Sequence, residues 1–154
     1  MNNLRYDMPV GEYAIFDPCL VLDEAEYEKL KAAFDSGEKY LINDTPVAVY
    51  RATHGDNEYQ SNINLNQTQS GESRLRMPVF QMFTVEDELL ACIPVSECNQ
   101  EMLADALEKG YGIVSHSKYE LNCYTSGSII CFGSIRIYTE SDYQPHEEDC
   151  EDFD

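Results

Sequence analysis

Apolar positions along the chain fall into short runs, and their spacing predicts an α+β protein. The expected architecture is a mostly antiparallel, twisted sheet carrying two helices, at about 23–36 and 99–109. Residues 13–22, YAIFDPCLVL, read as a strand, a tight turn at Asp17-Pro18 and a second short extended run. Proline fixes its own φ and drives the residue before it out of the helical region, so the first strand ends there. The first helix opens at Asp23-Glu24-Ala25-Glu26. Asp23 suits the N-cap, Glu26 sits at the third position of a capping box, and acids in the first turn complement the helix dipole. Tyr27, Leu30 and Phe34 recur on one face, and Ser36-Gly37 stops the helix.

Extended segments follow. PVAVYRAT (46–53) is rich in β-branched residues, and THGDNEY (53–59) is turn chemistry leading into a polar strand. QSNINLNQTQSGES (60–73) is nearly all polar and reads as an exposed loop or long hairpin tip. RLRMPVFQMFT (74–84) reads as a strand whose proline assigns it to an edge or a bulge, and ELLACIP (88–94) as a buried strand. Ser96 or Asn99 caps the second helix, which has Leu103, Ala106 and Leu107 as its apolar stripe and ends at Gly110. The stretch 111–139 reads as strand, turn, strand, hairpin and strand, with Ser126-Gly127 as the hairpin signal and clear alternation from Ile135 to Tyr138.

Length makes this one domain: 154 residues bury roughly two-thirds of the unfolded surface without help from metal or disulfides. The expected boundary is residue 139, with 140–154 a solvated, mobile acidic tail. Charge changes the picture most. The chain has 29 acids against 10 bases, a formal charge of −19, and eight of the acids lie in 140–154, so residues 1–139 still carry −11. Such a field repels nucleic acid and anionic membranes, and it attracts basic proteins. No run approaches the roughly 20 apolar residues of a membrane span. The opening MNNLRYDMPV lacks the apolar core of a secretory signal, and the six cysteines form no CxxC pair. Free thiols in a reducing cytoplasm are the expectation.

Candidate chemistry is sparse. Cys19, in Asp17-Pro18-Cys19, would serve as a nucleophile only beside a cation, a His or a helix N-terminus. The carboxylates that open the next helix would instead raise its pKa, so a structural turn with a small core thiol is the competing reading. His54-Gly55-Asp56-Asn57-Glu58 offers a His and two carboxylates to a divalent metal, but the spacing matches no closed ligand motif and reads better as a β-turn. His116 and His146 are isolated. No GxSxG, P-loop, HExxH or dinucleotide fingerprint is present. No cofactor and no metal is expected.

Four segments together resemble a known pattern: Tyr13-Ala-Ile-Phe-Asp17-Pro18-Cys19-Leu-Val-Leu, Thr53-His-Gly55-Asp56-Asn-Glu-Tyr59, Leu90-Ala-Cys-Ile93-Pro94, and Ile130-Cys-Phe132-Gly133-Ser-Ile135-Arg-Ile137-Tyr-Thr139. The chain is similar over 11–139 to a family of small acidic, largely uncharacterised bacterial and phage proteins. These read Tyr-x-Ile-Gly-Asp-Pro-Cys-Tyr-Val near the start and close on Phe-Gly-x-Ile-x-Ile-x-Thr. Phe16 stands where that family has Gly and Leu20 where it has Tyr, and 60–73 resembles an insertion. The resemblance implies a fold and a phage or bacterial origin, and no reaction.

The function expected from these features is non-enzymatic binding. The chain would be an inhibitor of a nucleic-acid-handling host complex in the cytoplasm of a bacterial cell, placing carboxylates where a Lys/Arg groove takes phosphates, as anti-restriction or anti-CRISPR DNA mimics would. The expected partner is a basic, nucleic-acid-binding protein, with no direct nucleic acid and no membrane. The expected contact residues are Asp23, Glu24, Glu26 and Glu28 in the first helix, and Glu147, Glu148, Asp149, Glu151 and Asp152 in the tail. Two alternatives stand beside it. One is an interaction module of an immunity or toxin system that uses a tyrosine-rich sheet face. The other is a small metal- or Cys-dependent enzyme built on Asp17, Cys19, His54 and Asp56.

Overall fold

Apolar runs that lack alternation become strands buried on both faces. In the computed structural model, which describes residues 4–65 and 79–139, YAIF, VAVY and LLACI form the middle of a five-stranded sheet. Its strands are β2 (Gly11–Phe16), β3 (Tyr40–Ile42), β4 (Thr45–Arg51), β7 (Leu89–Pro94) and β8 (Ile113–Ser117), in the order β3-β4-β7-β2-β8. A six-stranded sheet lies against it, in the order β1-β9-β10-β11-β5-β6. It is built from β1 (Tyr6–Met8), β5 (Asn57–Asn64), β6 (Phe80–Val85), β9 (Leu121–Ser126), β10 (Ile129–Phe132) and β11 (Ile135–Tyr138). All the pairings are antiparallel. The class is α+β as expected, and the sheet is divided in two.

Side chains alternate across a strand, so each run in the five-stranded sheet serves two cores. Tyr13, Ile15, Ala48, Tyr50, Leu90 and Cys92 face the other sheet, where they meet Tyr59, Phe83, Cys123, Ile130, Phe132 and Ile137. Ala14, Phe16, Val47, Val49, Ala91 and Ile93 face the helices and meet Leu30, Phe34, Leu103 and Ala106. The layers are therefore sheet, sheet and helix.

The helices are α1 (Glu24–Asp35), capped by Asp23, whose Oδ1 accepts the Glu26 N–H at 2.9 Å, and α2 (Gln100–Lys109), capped by Asn99. Ser96 belongs instead to the 3-10 turn Val95–Glu97.

Four local readings need correction. Residues 18–20 form a 3-10 turn, not an extended run, because Asp17 caps it and Pro18 supplies the right φ at its first position. Residues 60–64 are strand, since a polar sequence still ladders when Tyr59 and Ser61 point into the core; 66–73 lie outside the described residues. Leu107 is 40% exposed, one position past the buried stripe. Cys19 is half-buried, not a core thiol. The edge reading for 74–84 holds for its described part, because β6 is the last strand of its sheet.

Candidate functional site

Asp17 follows β2 directly and is completely buried. Both of its oxygens accept backbone N–H groups. Oδ1 takes Cys19 at 2.9 Å, and Oδ2 takes Glu86 at 2.8 Å and Asp87 at 2.9 Å. Glu86 and Asp87 lie at the corner where the chain passes from β6 in one sheet to β7 in the other. Burial pushes the Asp17 carboxyl up, against the pull of these donors. The corner is also fastened to α1: the Tyr27 hydroxyl donates to Asp87 Oδ2, and Lys31 Nζ lies 2.9 Å from the same oxygen and 3.4 Å from Glu88. Arg51 joins Glu88 at 3.1 Å and Asp35 at 3.8 Å.

The second corner, between β4 and β5, lies beside the first. The Ala52 N–H donates to the Glu88 carbonyl at 2.8 Å, and a carbon added at Gly55 would stand 3.7 Å from the Asp87 carbonyl. Asp17, Cys19, His54 and Asp56 thus reach one end of the sandwich. The His54 N–H donates to the buried Tyr59 hydroxyl at 3.2 Å, and that hydroxyl donates to the Gly55 carbonyl at 2.8 Å, so the turn is held from beneath. Among the described residues, no group of three or more His, Cys, Asp or Glu is arranged to hold a metal ion. His116 Nδ1 is 3.9 Å from Glu12, with both side chains exposed.

The Cys19 thiol is pushed far above its ordinary range, first by burial and then by the Asp17 carboxylate, with Glu86 and Asp87 adding to it. The responsible acids are those of the corner, not those that open α1. This is the reverse of the electropositive setting an attacking thiolate requires.

Asp87 shifts down, because the Tyr27 hydroxyl and then Lys31 favour its charged form. A depressed carboxylate contributes stability in full above its unfolded value of about 3.9 and loses it as pH falls through the folded value. Asp87→Asn should therefore lower stability by about 1 kcal/mol at neutral pH and converge with the wild type as pH falls below the folded value, the pair being partly exposed. Urea midpoints across that range measure it, and a pH-independent difference would contradict the assignment.

The acids expected to touch a partner divide by role. Asp23 caps α1, and the Glu26 carboxylate accepts the Tyr40 hydroxyl. Glu24 and Glu28 are exposed. Glu147, Glu148, Asp149, Glu151 and Asp152 lie outside the described residues. The second helix adds acids that the sequence reading did not single out. Residues 23–35 and 97–109 each carry a formal charge of −3, and both helices line the same layer. A cavity of about 160 Å³ opens between the two helix starts, lined by Leu22, Asp23, Glu26, Glu97, Cys98 and Asn99.

On the opposite side, the registers put Asp7, Tyr124, Ile129, Arg136, Tyr138 and Glu58 on the outer face of the six-stranded sheet, with the Arg5 guanidinium 4.9 Å from the Tyr124 ring centre. That face is charge-balanced and aromatic. The two broad surfaces therefore differ in kind. No helix among the described residues is long and apolar enough to cross a membrane.

These features define a small acidic protein of two antiparallel sheets and a helix layer. Compared with known proteins, the chain matches no family model, no curated protein and no solved structure.

Proposed function

We propose that this is a non-enzymatic acidic binding protein that presents its helix layer to a basic, phosphate-binding groove of a nucleic-acid-handling protein and so blocks it. The observation that carries the reading is the uneven charge: −3 on each helix segment, against a balanced outer sheet face. Carboxylates on a rigid helix surface compete for the Lys and Arg side chains that bind phosphates. The motif resemblance supports a bacterial or phage origin; the bacterial cytoplasm and the inhibitory role are part of this proposal.

Glu24 and Glu28 are the residues to test, because Asp23 and Glu26 also hold local structure. The tagged protein is expected to capture a nucleic-acid-binding protein from bacterial lysate at low salt, to release it at about 0.5 M, and to lose it to competing DNA. The double variant Glu24→Gln, Glu28→Gln should weaken that binding roughly fivefold while leaving the melting temperature unchanged. A partner retained at high salt, with no role on nucleic acid, would point to the tyrosine-bearing sheet face and the interaction-module reading. The enzyme reading has less support, since burial and three neighbouring carboxylates suppress the Cys19 thiolate. Alkylation of Cys19 faster than the other thiols at neutral pH would restore it.

A further inference from the structure

We propose that β8 is the contact between two copies of this chain: its open edge pairs with β8 of a second copy, antiparallel about a two-fold axis at Ser115, and joins two five-stranded sheets into one. The two sheets of the described chain end in four edge strands, β1, β6, β3 and β8. An edge strand offers unpaired N–H and C=O groups to any other chain, and proteins blunt such edges by shortness, charge, proline or a bulge. Three of the four are blunted. β1 is three residues long with Asp7 at its exposed middle. β3 is also three residues long and follows Lys39 directly. The pairing of β6 with β5 shifts register between Gln60 and Asn64, and the Thr84 N–H is taken by the Tyr111 carbonyl at 3.0 Å. β8 has none of these devices. Its sequence, IVSHS, holds no acid, no Lys or Arg and no proline, and it pairs with β2 over five residues without a shift. Among the described residues, no strand pairs with its other side.

Large apolar side chains are exposed around the same edge: Val114 within β8, Val10 just before the Gly11 that pairs with Ser117, and Tyr119 two residues past the strand. Charge selects a second copy as the occupant. A chain of −19 meets itself where its own charge is least, and β8 is a strip without acids on an acidic body. The register that overlaps all five residues is centred on Ser115. There Ser115 faces Ser115 of the second copy, Val114 faces His116, and Ile113 faces Ser117. Facing residues stay on one side of the sheet, as the alternation of a strand requires. No carboxylate faces another, because Glu12 stands one strand back, beside its own His116. A two-fold axis normal to the sheet also leaves both helix layers on the same side of it. Two five-residue edges bury little surface, so the dimer is weak, with a Kd on the order of 100 µM.

The pairing does not depend on the proposed basic partner, and salt separates the two. Screening should strengthen contact between two chains of −19 and weaken capture of a basic protein. Sedimentation equilibrium of the full chain tests it, over protein concentrations from about 10 µM to about 1 mM and at about 0.15 M and 0.5 M salt. The mass should climb from 17.6 kDa towards twice that value, and further at the higher salt. Ser115 faces itself in the pair, so Ser115→Lys and Ser115→Glu should each stay monomeric, with like charges set opposite each other. A mixture of the two should dimerise again, which a loosened or misfolded strand could not do. Should these variants fail to fold, amide exchange of the wild type reads the same edge: β8 amides should slow at high protein concentration while those of β3 do not. A mass that stays at 17.6 kDa over the whole range would overturn the proposal. So would a dimer that survives both substitutions, a mixture that stays monomeric, or concentration-dependent protection that leaves β8 unchanged.

Discussion

Asp17→Asn should lower stability by about 3 kcal/mol, or roughly 10 °C in melting temperature, although it changes the side chain's shape hardly at all. The reason is donor count. The buried carboxylate accepts three N–H groups, one at Oδ1 and two at Oδ2. An amide has one acceptor oxygen, and its other end is itself a donor. Oriented either way, Asn sets an NH₂ against a backbone N–H, either that of Cys19 or those of Glu86 and Asp87. A buried donor left facing another donor costs its full desolvation, and that site has no water route at 0% exposure. Asp17→Ala removes all three acceptors and should be worse. The damage should be local before it is global: backbone amide exchange at Glu86 and Asp87 should accelerate ahead of exchange in β7. An Asn variant that melts within two degrees or so of the wild type would show that the corner is held by something else. The same result bears on function, because Asp17 lies in the turn that most resembles chemistry and its oxygens are already spoken for by backbone.

That turn shows how much of the molecule was legible. Asp-Pro at the end of an apolar run announces a capped corner, because both residues act on their own neighbours. The two helices were legible for the same reason: Asp23, Glu26 and Asn99 signal starts through local hydrogen bonds. What was not legible depends on distant pairing. Three residues are too few for β1 (Tyr6–Met8) or β3 (Tyr40–Ile42) to show a period. The β3–β4 turn also hides, since Asn43 and Asp44 take positive φ of 51° and 67° with no glycine to mark it. The polar stretch at 60–64 reads as loop until Ser61 is seen bonding the Gln81 carbonyl at 2.8 Å across the strand pair. A run such as YAIF predicts burial on both faces but not what lies on each, so one sheet and two sheets look alike in sequence. The candidate site divides the same way. Acid in the first helix was visible, whereas its union with α2 in one layer, and the balanced charge of the opposite face, follow from topology.

Gly112→Ala should destabilise the protein by about 3 kcal/mol, and the cause is space rather than backbone conformation. Gly112 precedes β8, where the chain reaches the edge of the five-stranded sheet beside the end of β2. A methyl added there would stand 2.3 Å from the Ile15 carbonyl oxygen and 2.6 Å from the Phe16 ring. Ile15 is paired to Ile113 on one side and to Cys92 on the other, so its carbonyl cannot retreat without pulling on two strand pairs. Phe16 is fully buried under the helices and has nowhere to turn. Two residues earlier, Gly110 makes the control. It ends α2 at φ +75° with nothing within 4 Å of an added carbon, so Gly110→Ala meets only the left-handed penalty of about 1 kcal/mol. The two substitutions are chemically identical and lie within one turn of chain, so urea midpoints measured side by side separate steric from conformational demand. Equal losses at both positions would contradict the close approach of β8 to β2. A loss three times larger at 112 would place the edge strand where β2, the Asp17 corner and the helix layer all depend on it.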